Sequence, residues 1–489
     1  MIKGIGKYLG CLLLFVLPLV ALPATIKIKG SCPEYKSYKL IFYRYSDLIS
    51  MKELKLVECT TDSSGNFECS ADIPFTCQVF VYLGYYKGFF FAEPKKTYEL
   101  VLPPLKEKNL VDDLNPFFTE EQFNIGIKNA KENELNYLIA SFNAIYDPFL
   151  AENFNYLYVS SDVQLVDSLQ KTTFQKFAGI KNQFFNDYMK YKFNYLRHFT
   201  YDRDRNFATK KYFSGKPVLY QNPAYMEFFN QLWGKYFTYL GINDKMGERM
   251  MSNIIYSKSP TELSKTLNTN MALRDDSLRE LVMLKGLSDC LQKPDLYPVQ
   301  SVNQTLDSIA KTSKIAEHRD IAMNILLKEK KLNQLDSAID FTLKKVNGET
   351  VSLSDFRGKY VYLNFGRSEN YACQKEYRLL KEIQDKKVNG LEILTVSSDQ
   401  DTATFNDYVK SNPQYSWTFL FDDKRTVTTK YGIRIMPSYI IIDPDGKIAM
   451  IPAISPQQNF LLYFAQIQKW RQRALDNKAK LQQGSQGNH

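Results

Sequence analysis

Histidine is nearly absent from this chain, and its scarcity limits the chemistry that the sequence can support. The 489 residues include three histidines, His198, His318 and His489. They are scattered, and none has cysteine or carboxylate neighbours at the spacing of a metal-binding motif. The sequence therefore indicates no metal site, and it does not point to a Ser-His or Cys-His catalytic pair.

Long apolar runs are missing beyond the N-terminus. No later segment reaches the roughly 18 uninterrupted apolar residues that favour a membrane-spanning helix. At the N-terminus, residues 1–24 carry Lys3 and Lys7, the apolar run Cys11–Leu22 and then small residues, which is the pattern of a secretory signal peptide. We therefore predict that the protein is exported to a bacterial periplasm or cell envelope.

Nucleotide-binding fingerprints are missing as well. No P-loop or dinucleotide motif occurs in the sequence, so we expect no cofactor. The net charge of +10 is not concentrated in one basic block. The run 188–213 mixes cations with aromatic residues, but that mixture is more typical of a solvated helix face than of a nucleic-acid site. We expect no nucleic-acid partner, and the charge is compatible with peripheral membrane association.

The remaining patterns predict a multidomain protein. Residues 25–104 alternate in short strands separated by turn residues, which predicts an N-terminal antiparallel β-sandwich. Residues 105–333 have aromatic residues at three- and four-residue intervals, which predicts an α-helical middle region. Residues 334–472 alternate strands and helices and predict an α/β domain. The polar segment 473–489 is predicted to be a disordered tail.

Four of the seven cysteines lie in the β region. If residues 62–66 form a hairpin loop, Cys59 faces Cys69 on the adjacent strand, within disulfide reach. Export would permit oxidation. We therefore hypothesise a Cys59–Cys69 disulfide, with Cys32–Cys77 as the remaining pair and free buried thiols as the alternative.

The stretch 360–377, YVYLNFGRSENYACQKEY, begins as an apolar strand and passes through polar residues into a helix near Tyr371. A thiol at such a helix start is stabilised as thiolate. The region 335–470 resembles a thioredoxin-fold domain of the TlpA/ResA/AhpC-TSA kind. The matching segments are VSLSDFRGKYVYLNF (351–365), Cys373–Glu376, LEILTVSSD (391–399) and GIRIMPSYIIIDPDGKI (432–448).

The resemblance implies an active site of the form F-W-A-x-W-C-x-x-C-x-x-E. On this pattern Phe365, Cys373 and Glu376 match the Phe, the second Cys and the Glu. Asn370 stands at the position of the nucleophilic first Cys, and Gly366 at that of the Trp. Asn is a favoured helix cap but cannot attack a disulfide. Cys373 is then a structural thiol or a monothiol in mixed disulfides.

The same resemblance places Met436-Pro437 at the family's cis-proline loop, where a backbone edge can bind an extended peptide. The leading hypothesis is an envelope thioredoxin-fold protein with a degenerate site, acting on protein or peptide partners as a binding or scaffold module or as a monothiol redox partner. The alternative is a working thiol-disulfide oxidoreductase that pairs Cys373 with a distant cysteine such as Cys290. A peroxidase is less favoured, because Arg367 is the only element of that site ahead of Cys373.

Overall fold

The computed structural model of the protein describes residues 24–108, 112, 118–128, 130–328 and 336–486, the side chains of 241–243, 474–475 and 477–486 excepted. These residues form two compact units. The first holds the described residues up to 107 and from 120 to 328, and the second holds the remainder. The predicted signal peptide, residues 1–24, lies outside the described residues except for Ala24, the first residue of a strand.

The first unit begins with two sheets. Strands β4-β1-β7-β9 form one sheet and β3-β2-β5-β6-β8 form the other. Both are mixed rather than purely antiparallel, because β1 pairs parallel with β7 and β6 with β8. Buried side chains of both sheets form one apolar cluster. The strands are β1 (Ala24–Ser31), β2 (Lys39–Tyr45), β3 (Glu53–Thr60), β4 (Asn66–Ile73), β5 (Cys77–Leu83), β6 (Tyr86–Ala92), β7 (Thr97–Val101), β8 (Glu121–Asn124) and β9 (Gly126–Ile127).

Cys59 and Cys69 form a disulfide with their Cα atoms 6.0 Å apart. The prediction that β3 and β4 form a hairpin, from which this disulfide was inferred, is wrong, because the two strands belong to different sheets. The Asp62–Asn66 turn carries the chain from one sheet to the other, and the disulfide therefore joins the sheets. Cys32 and Cys77 are not paired: each is a free thiol, and Cys77 is buried.

The middle of the chain is helical from Leu135 to Lys328, as predicted for this part. The predicted boundary at residue 104 is wrong, because β8 and β9 lie beyond it and pair with the two sheets, which form one unit with the helices. Most helices begin after a side chain that accepts a backbone N–H of the first turn, as Ser259 does ahead of Pro260. The helices are α1 (Leu135–Ser160), α2 (Val163–Lys176), α3 (Gln183–Thr200), α4 (Arg205–Tyr212), α5 (Pro223–Trp233), α6 (Tyr236–Asn243), α7 (Lys245–Ser252), α8 (Pro260–Leu267), α9 (Asp276–Cys290), α10 (Val299–Thr312) and α11 (Ala316–Lys328).

The sheets and the helices of the first unit are joined by hydrogen bonds. Asn136 of α1 donates to the Phe91 carbonyl and accepts from the Phe91 N–H, so its amide extends the edge of β6. Asn324 of α11 donates to the Asp47 carboxylate at 2.9 Å. The Asn136 amide pairs the Phe91 backbone, and the Asn324 amide adds a donor to a carboxylate that Ile49 and Ser50 also bind.

The second unit is the α/β domain. Its seven-stranded sheet has the order β11-β10-β14-β13-β12-β15-β16, with β12, β13 and β14 parallel and β15 antiparallel to β12. The strands are β10 (Thr342–Lys344), β11 (Thr350–Ser352), β12 (Tyr360–Gly366), β13 (Leu391–Ser397), β14 (Thr418–Phe421), β15 (Ser438–Ile442) and β16 (Ile448–Met450). The helices are α12 (Tyr371–Asp385), α13 (Thr402–Ser411), α14 (Thr426–Lys430) and α15 (Phe460–Gln486).

Helix α15 differs from the expected end of the chain. It continues to Gln486, through most of the segment 473–489 that was expected to be disordered. The residues after Arg473 include Ala, Leu, Lys and Gln, which have high helix propensity. The prediction of disorder rested on the polarity of the segment and did not take this propensity into account. None of the helices in the described part of the chain is long and apolar enough to cross a membrane.

Candidate functional site

The candidate site lies where β12 ends and α12 begins. Strand β12 is central in the sheet and buried along its whole length, so the residue that follows it has a fixed position. The connecting loop is held from two sides. The Ser368 N–H donates to the Asp399 carboxylate at 2.7 Å, and the Gln374 side chain donates to the Ser368 carbonyl at 2.7 Å.

Asn370 is the N-cap of α12. Its side-chain oxygen accepts the Ala372 N–H at 2.9 Å, which satisfies one of the free amides of the helix start. Its side-chain nitrogen donates to the Met436 carbonyl at 3.3 Å. The structure therefore brings together two of the predicted site positions, the helix cap and the loop before Pro437, through one amide.

Cys373 lies one turn into α12 and is fully buried. Burial raises the pKa of its thiol to about 11, and a hydrogen bond from the Arg367 backbone opposes that rise only in part. The helix start was expected to favour the thiolate, but here desolvation outweighs it. At neutral pH, Cys373 is a protonated core thiol rather than a nucleophile.

Alkylation tests this burial. In the native protein at neutral pH, Cys373 should react with iodoacetamide about two orders of magnitude more slowly than an unperturbed thiol. Its rate should rise as the pH approaches the thiol pKa of about 11. Mass spectrometry of tryptic peptides measures this, with Cys32 as the partly exposed internal control. Rapid native labelling of Cys373 at pH 7 would contradict the structure.

A buried carboxyl lies behind the thiol. Glu376 accepts a hydrogen bond from the Tyr439 hydroxyl at 3.1 Å, and burial raises the pKa of its carboxyl. Asp399 is also buried, and desolvation raises its pKa too. The family resemblance identified Glu376 but missed Tyr439, which is distant in sequence and reaches the site only through the sheet. The sequence pattern favoured a solvated turn for Asp399, but the structure buries it.

Gly366 has a steric role at this site. A Cβ atom added to it would come within 3.0 Å of the Tyr377 hydroxyl, and it would lie 3.4 Å from the Cys373 sulfur. The buried Tyr377 side chain therefore fills the space beside position 366. Gly366, which stands where the family pattern has Trp, leaves space beside the strand. The Tyr377 side chain, eleven residues later, fills that space.

A double-mutant test follows from this arrangement. Gly366→Ala should destabilise the second unit by about 1–3 kcal/mol, because Tyr377 cannot move from a packed core without strain. Gly366→Ala/Tyr377→Phe should recover much of that loss, since the hydroxyl is removed. Urea unfolding followed by Trp417 fluorescence measures both, with Tyr377→Phe alone as the control. Additive effects would contradict the proposed steric contact.

The rim of the site is apolar and open. Met436-Pro437 is a cis peptide bond, as expected for the loop, and both residues are half-buried. The neighbouring Tyr371 and Ile435 are 77% and 54% exposed. The Asn370–Met436 hydrogen bond joins the start of α12 to the loop before Pro437. Tyr371 and Ile435 are the chain neighbours of these two residues, so both expose their side chains next to this hydrogen bond.

Cys290, the proposed distant partner, lies in the core of the first unit and is fully buried. Desolvation raises the pKa of its thiol well above the ordinary value. In the folded protein, the sulfur atoms of Cys290 and Cys373 are both buried and cannot be reached by another thiol or disulfide. Within the described parts of the chain, no group of three or more His, Cys, Asp or Glu side chains is placed to hold a metal ion.

The comparisons with known proteins concern this same domain. The AhpC/TSA family model matches residues 335–451. The thiol-disulfide oxidoreductase ResA of Bacillus thuringiensis subsp. konkukian is 32% identical over 124 residues, which are 25% of this chain and 70% of that protein. The chain belongs to the TlpA/ResA-type thioredoxin-like family.

Other ResA-type proteins give similar matches. ResA of Bacillus subtilis is 28% identical over 123 residues, covering 24% of this chain and 67% of that protein. Among solved structures, the thioredoxin domain of a thiol-disulfide oxidoreductase from Bacteroides vulgatus is 28% identical, covering 28% of this chain and 99% of that chain, with a TM-score of 0.26. The family relationship supports a redox-related role for the ResA-type domain, and the residues matched by the family model lie within the second unit.

Proposed function

We propose that the protein is an exported cell-envelope member of the family whose site, Asn-x-x-Cys, is degenerate, and that it binds an extended segment of an envelope protein instead of exchanging disulfides. The observation that carries this proposal is Asn370. Its amide occupies the helix cap where an attacking sulfur would stand, and it leaves Cys373 buried behind it. Export is inferred from the N-terminal Lys and apolar run.

The open rim supports a binding role. Tyr371 and Ile435 expose apolar surface on either side of the Asn370–Met436 hydrogen bond. Backbone groups of a loop before a strand can pair with an extended peptide, and flanking apolar side chains add affinity. The Asn370 hydrogen bond holds this loop in place without a thiol, so binding does not depend on redox state. The oxidoreductase names of the relatives favour the competing hypothesis of a working enzyme.

An insulin-reduction assay separates the two hypotheses. The mature protein should reduce insulin no faster than its Cys373→Ser variant, because a buried protonated thiol does not start exchange. Turnover that depends on Cys373 would overturn the binding proposal and support an oxidoreductase or monothiol role.

Binding itself is tested in cells. A photoreactive phenylalanine analogue at Tyr371 should form protein adducts, and the added Ile435→Asp substitution should remove them. The same analogue at Tyr239, which is 63% exposed on the first unit, is the matched control. Equal adducts at both positions would argue against a specific surface at the rim.

A further inference from the structure

Helix α15 is fixed to its domain by one face. Phe460 stacks on Tyr362 with ring centroids 3.9 Å apart, and Phe464 packs edge-on against Tyr360 at 5.1 Å. Further along, the Arg471 guanidinium lies 2.8 Å from an Asp445 carboxylate oxygen. Residues 460, 464 and 471 recur at helical spacing, so the side of α15 that faces the sheet is settled.

The outward side of α15 exposes three large apolar side chains, with Gln466 between them. Leu462, Tyr463 and Trp470 are 61%, 41% and 58% exposed. At 100° per residue these three positions fall within one third of the helix circumference, away from Phe460 and Phe464. Large apolar side chains on one exposed helix face usually mark an interaction surface.

The charges beside this face are mostly positive, and Asp476 follows one turn beyond Arg473. Residues 460–473, FLLYFAQIQKWRQR, contain no Asp or Glu and three cations. Arg471 is paired toward the domain, whereas Lys469 and Arg473 are exposed. Lys469 lies beside the arc of the apolar side chains, and Arg473 lies within it. Trp, Tyr and Leu beside Lys and Arg is the composition of helices that lie in the membrane–water interface.

We propose that this face of α15 binds the surface of an anionic lipid bilayer. Leu462, Tyr463 and Trp470 enter the headgroup boundary, while Lys469 and Arg473 contact lipid phosphates. A second copy of the chain is disfavoured as the occupant, because a symmetric pairing of this face would bring the same cations together. The proposal concerns α15 alone and does not depend on the function of the Asn370 site.

Tryptophan fluorescence of the full mature chain tests the proposal. Of the three tryptophans, Trp233 and Trp417 are buried, so Trp470 is the solvent-exposed reporter. Vesicles rich in phosphatidylglycerol should shift its emission to the blue and protect it from acrylamide. Phosphatidylcholine vesicles should do so much less, and added salt should weaken the effect. An unchanged spectrum together with no vesicle co-sedimentation would overturn the proposal.

Variants locate the surface. Leu462→Glu should lower the affinity for anionic vesicles by at least about tenfold, because it removes an apolar anchor and adds a repelled charge. Lys469→Glu/Arg473→Glu should remove the preference for anionic lipid. Tyr256→Glu, at a residue 78% exposed on the first unit, is the control and should bind as the wild type does. Unchanged binding of Leu462→Glu, or a dimer in sedimentation equilibrium that Leu462→Glu dissociates, would overturn the proposal.

Discussion

Asn370→Cys should convert the protein into a thiol-disulfide oxidoreductase, with insulin-reduction activity at least about 100-fold above that of the wild type. The backbone at this position already has the geometry of a helix cap, with φ −88° and ψ 114°. A thiol placed there meets the first N–H groups of α12, which stabilise its thiolate. Cys373 follows three residues later, within one helical turn of the new thiol, so it can resolve a mixed disulfide there once the helix start opens enough to expose its buried sulfur.

The substitution has a modest structural cost. Loss of the capping oxygen and of the Met436 hydrogen bond should destabilise the domain by about 1–2 kcal/mol. With glutathione disulfide as oxidant, the new thiol and Cys373 should form a disulfide and release two reduced glutathione molecules, which lowers the measured mass of the protein by about two hydrogen atoms. The rate of insulin precipitation with dithiothreitol as reductant measures the activity.

Two matched variants control this experiment. Asn370→Ser keeps a capping oxygen and should remain inactive, which separates the thiol from the loss of the amide. Asn370→Cys/Cys373→Ser should attack a disulfide but accumulate the mixed product, because nothing resolves it. A folded Asn370→Cys protein with a normal thiol titre and no activity would show that more than the nucleophile has been lost.

The sequence predicted the α/β domain well because its signals are local. The strand expected from Val361 to Phe365 is β12, and the helix expected near Tyr371 begins at that residue. The burial of Cys373 could not be predicted from the strand and helix patterns around it. Whether Cys373 is a thiolate depends first on its desolvation and then on nearby groups such as Asp399 and Glu376, which also raise its pKa, and both effects are set by tertiary packing.

Predictions of contacts between residues distant in the sequence were only partly right, because such contacts also depend on tertiary packing. A disulfide between Cys59 and Cys69 was inferred from a hairpin, but the two cysteines lie in different sheets that a short turn brings together. His318 was discounted because no carboxylate lies near it in a metal-binding pattern. In the fold it hydrogen-bonds Glu280, which lies 38 residues away on another helix. Sequence patterns identify residues that are close along the chain. The Cys59–Cys69 and His318–Glu280 contacts instead depend on how the elements pack.

His318 is the centre of a buried hydrogen-bond network in the first unit. Its Nδ1 lies 2.7 Å from the Glu280 carboxylate and its Nε2 lies 2.9 Å from the Tyr220 hydroxyl. The Ser313 hydroxyl also donates to Glu280, at 2.7 Å. His318 itself is fully buried, so each of its ring nitrogens has a partner and none is left to water.

His318→Leu should therefore destabilise the first unit by about 2–3 kcal/mol at pH 7. The carboxylate of Glu280 would lose a donor in a partly buried site, and the Tyr220 hydroxyl would lose one of its two partners, Ser277 being the other. Guanidinium unfolding followed by far-ultraviolet circular dichroism measures the loss. The double variant His318→Leu/Glu280→Gln should be less destabilised than the sum of the single variants, because the charge left unpaired is also removed.

The pH dependence of this loss identifies the carboxylate as its origin. Burial acts to raise the pKa of Glu280, but the hydrogen bonds from His318 and Ser313 outweigh it and hold the pKa below its ordinary value of 4.5. A carboxyl whose pKa is lower in the folded state contributes stability above its unfolded pKa and loses it as the pH falls through the folded value. The cost of His318→Leu should therefore begin to shrink below about pH 4.5, the ordinary pKa, and should shrink further as the pH falls through the lower folded pKa, where Glu280 becomes neutral. An equal cost at pH 7 and pH 4 would show that the histidine acts through packing alone.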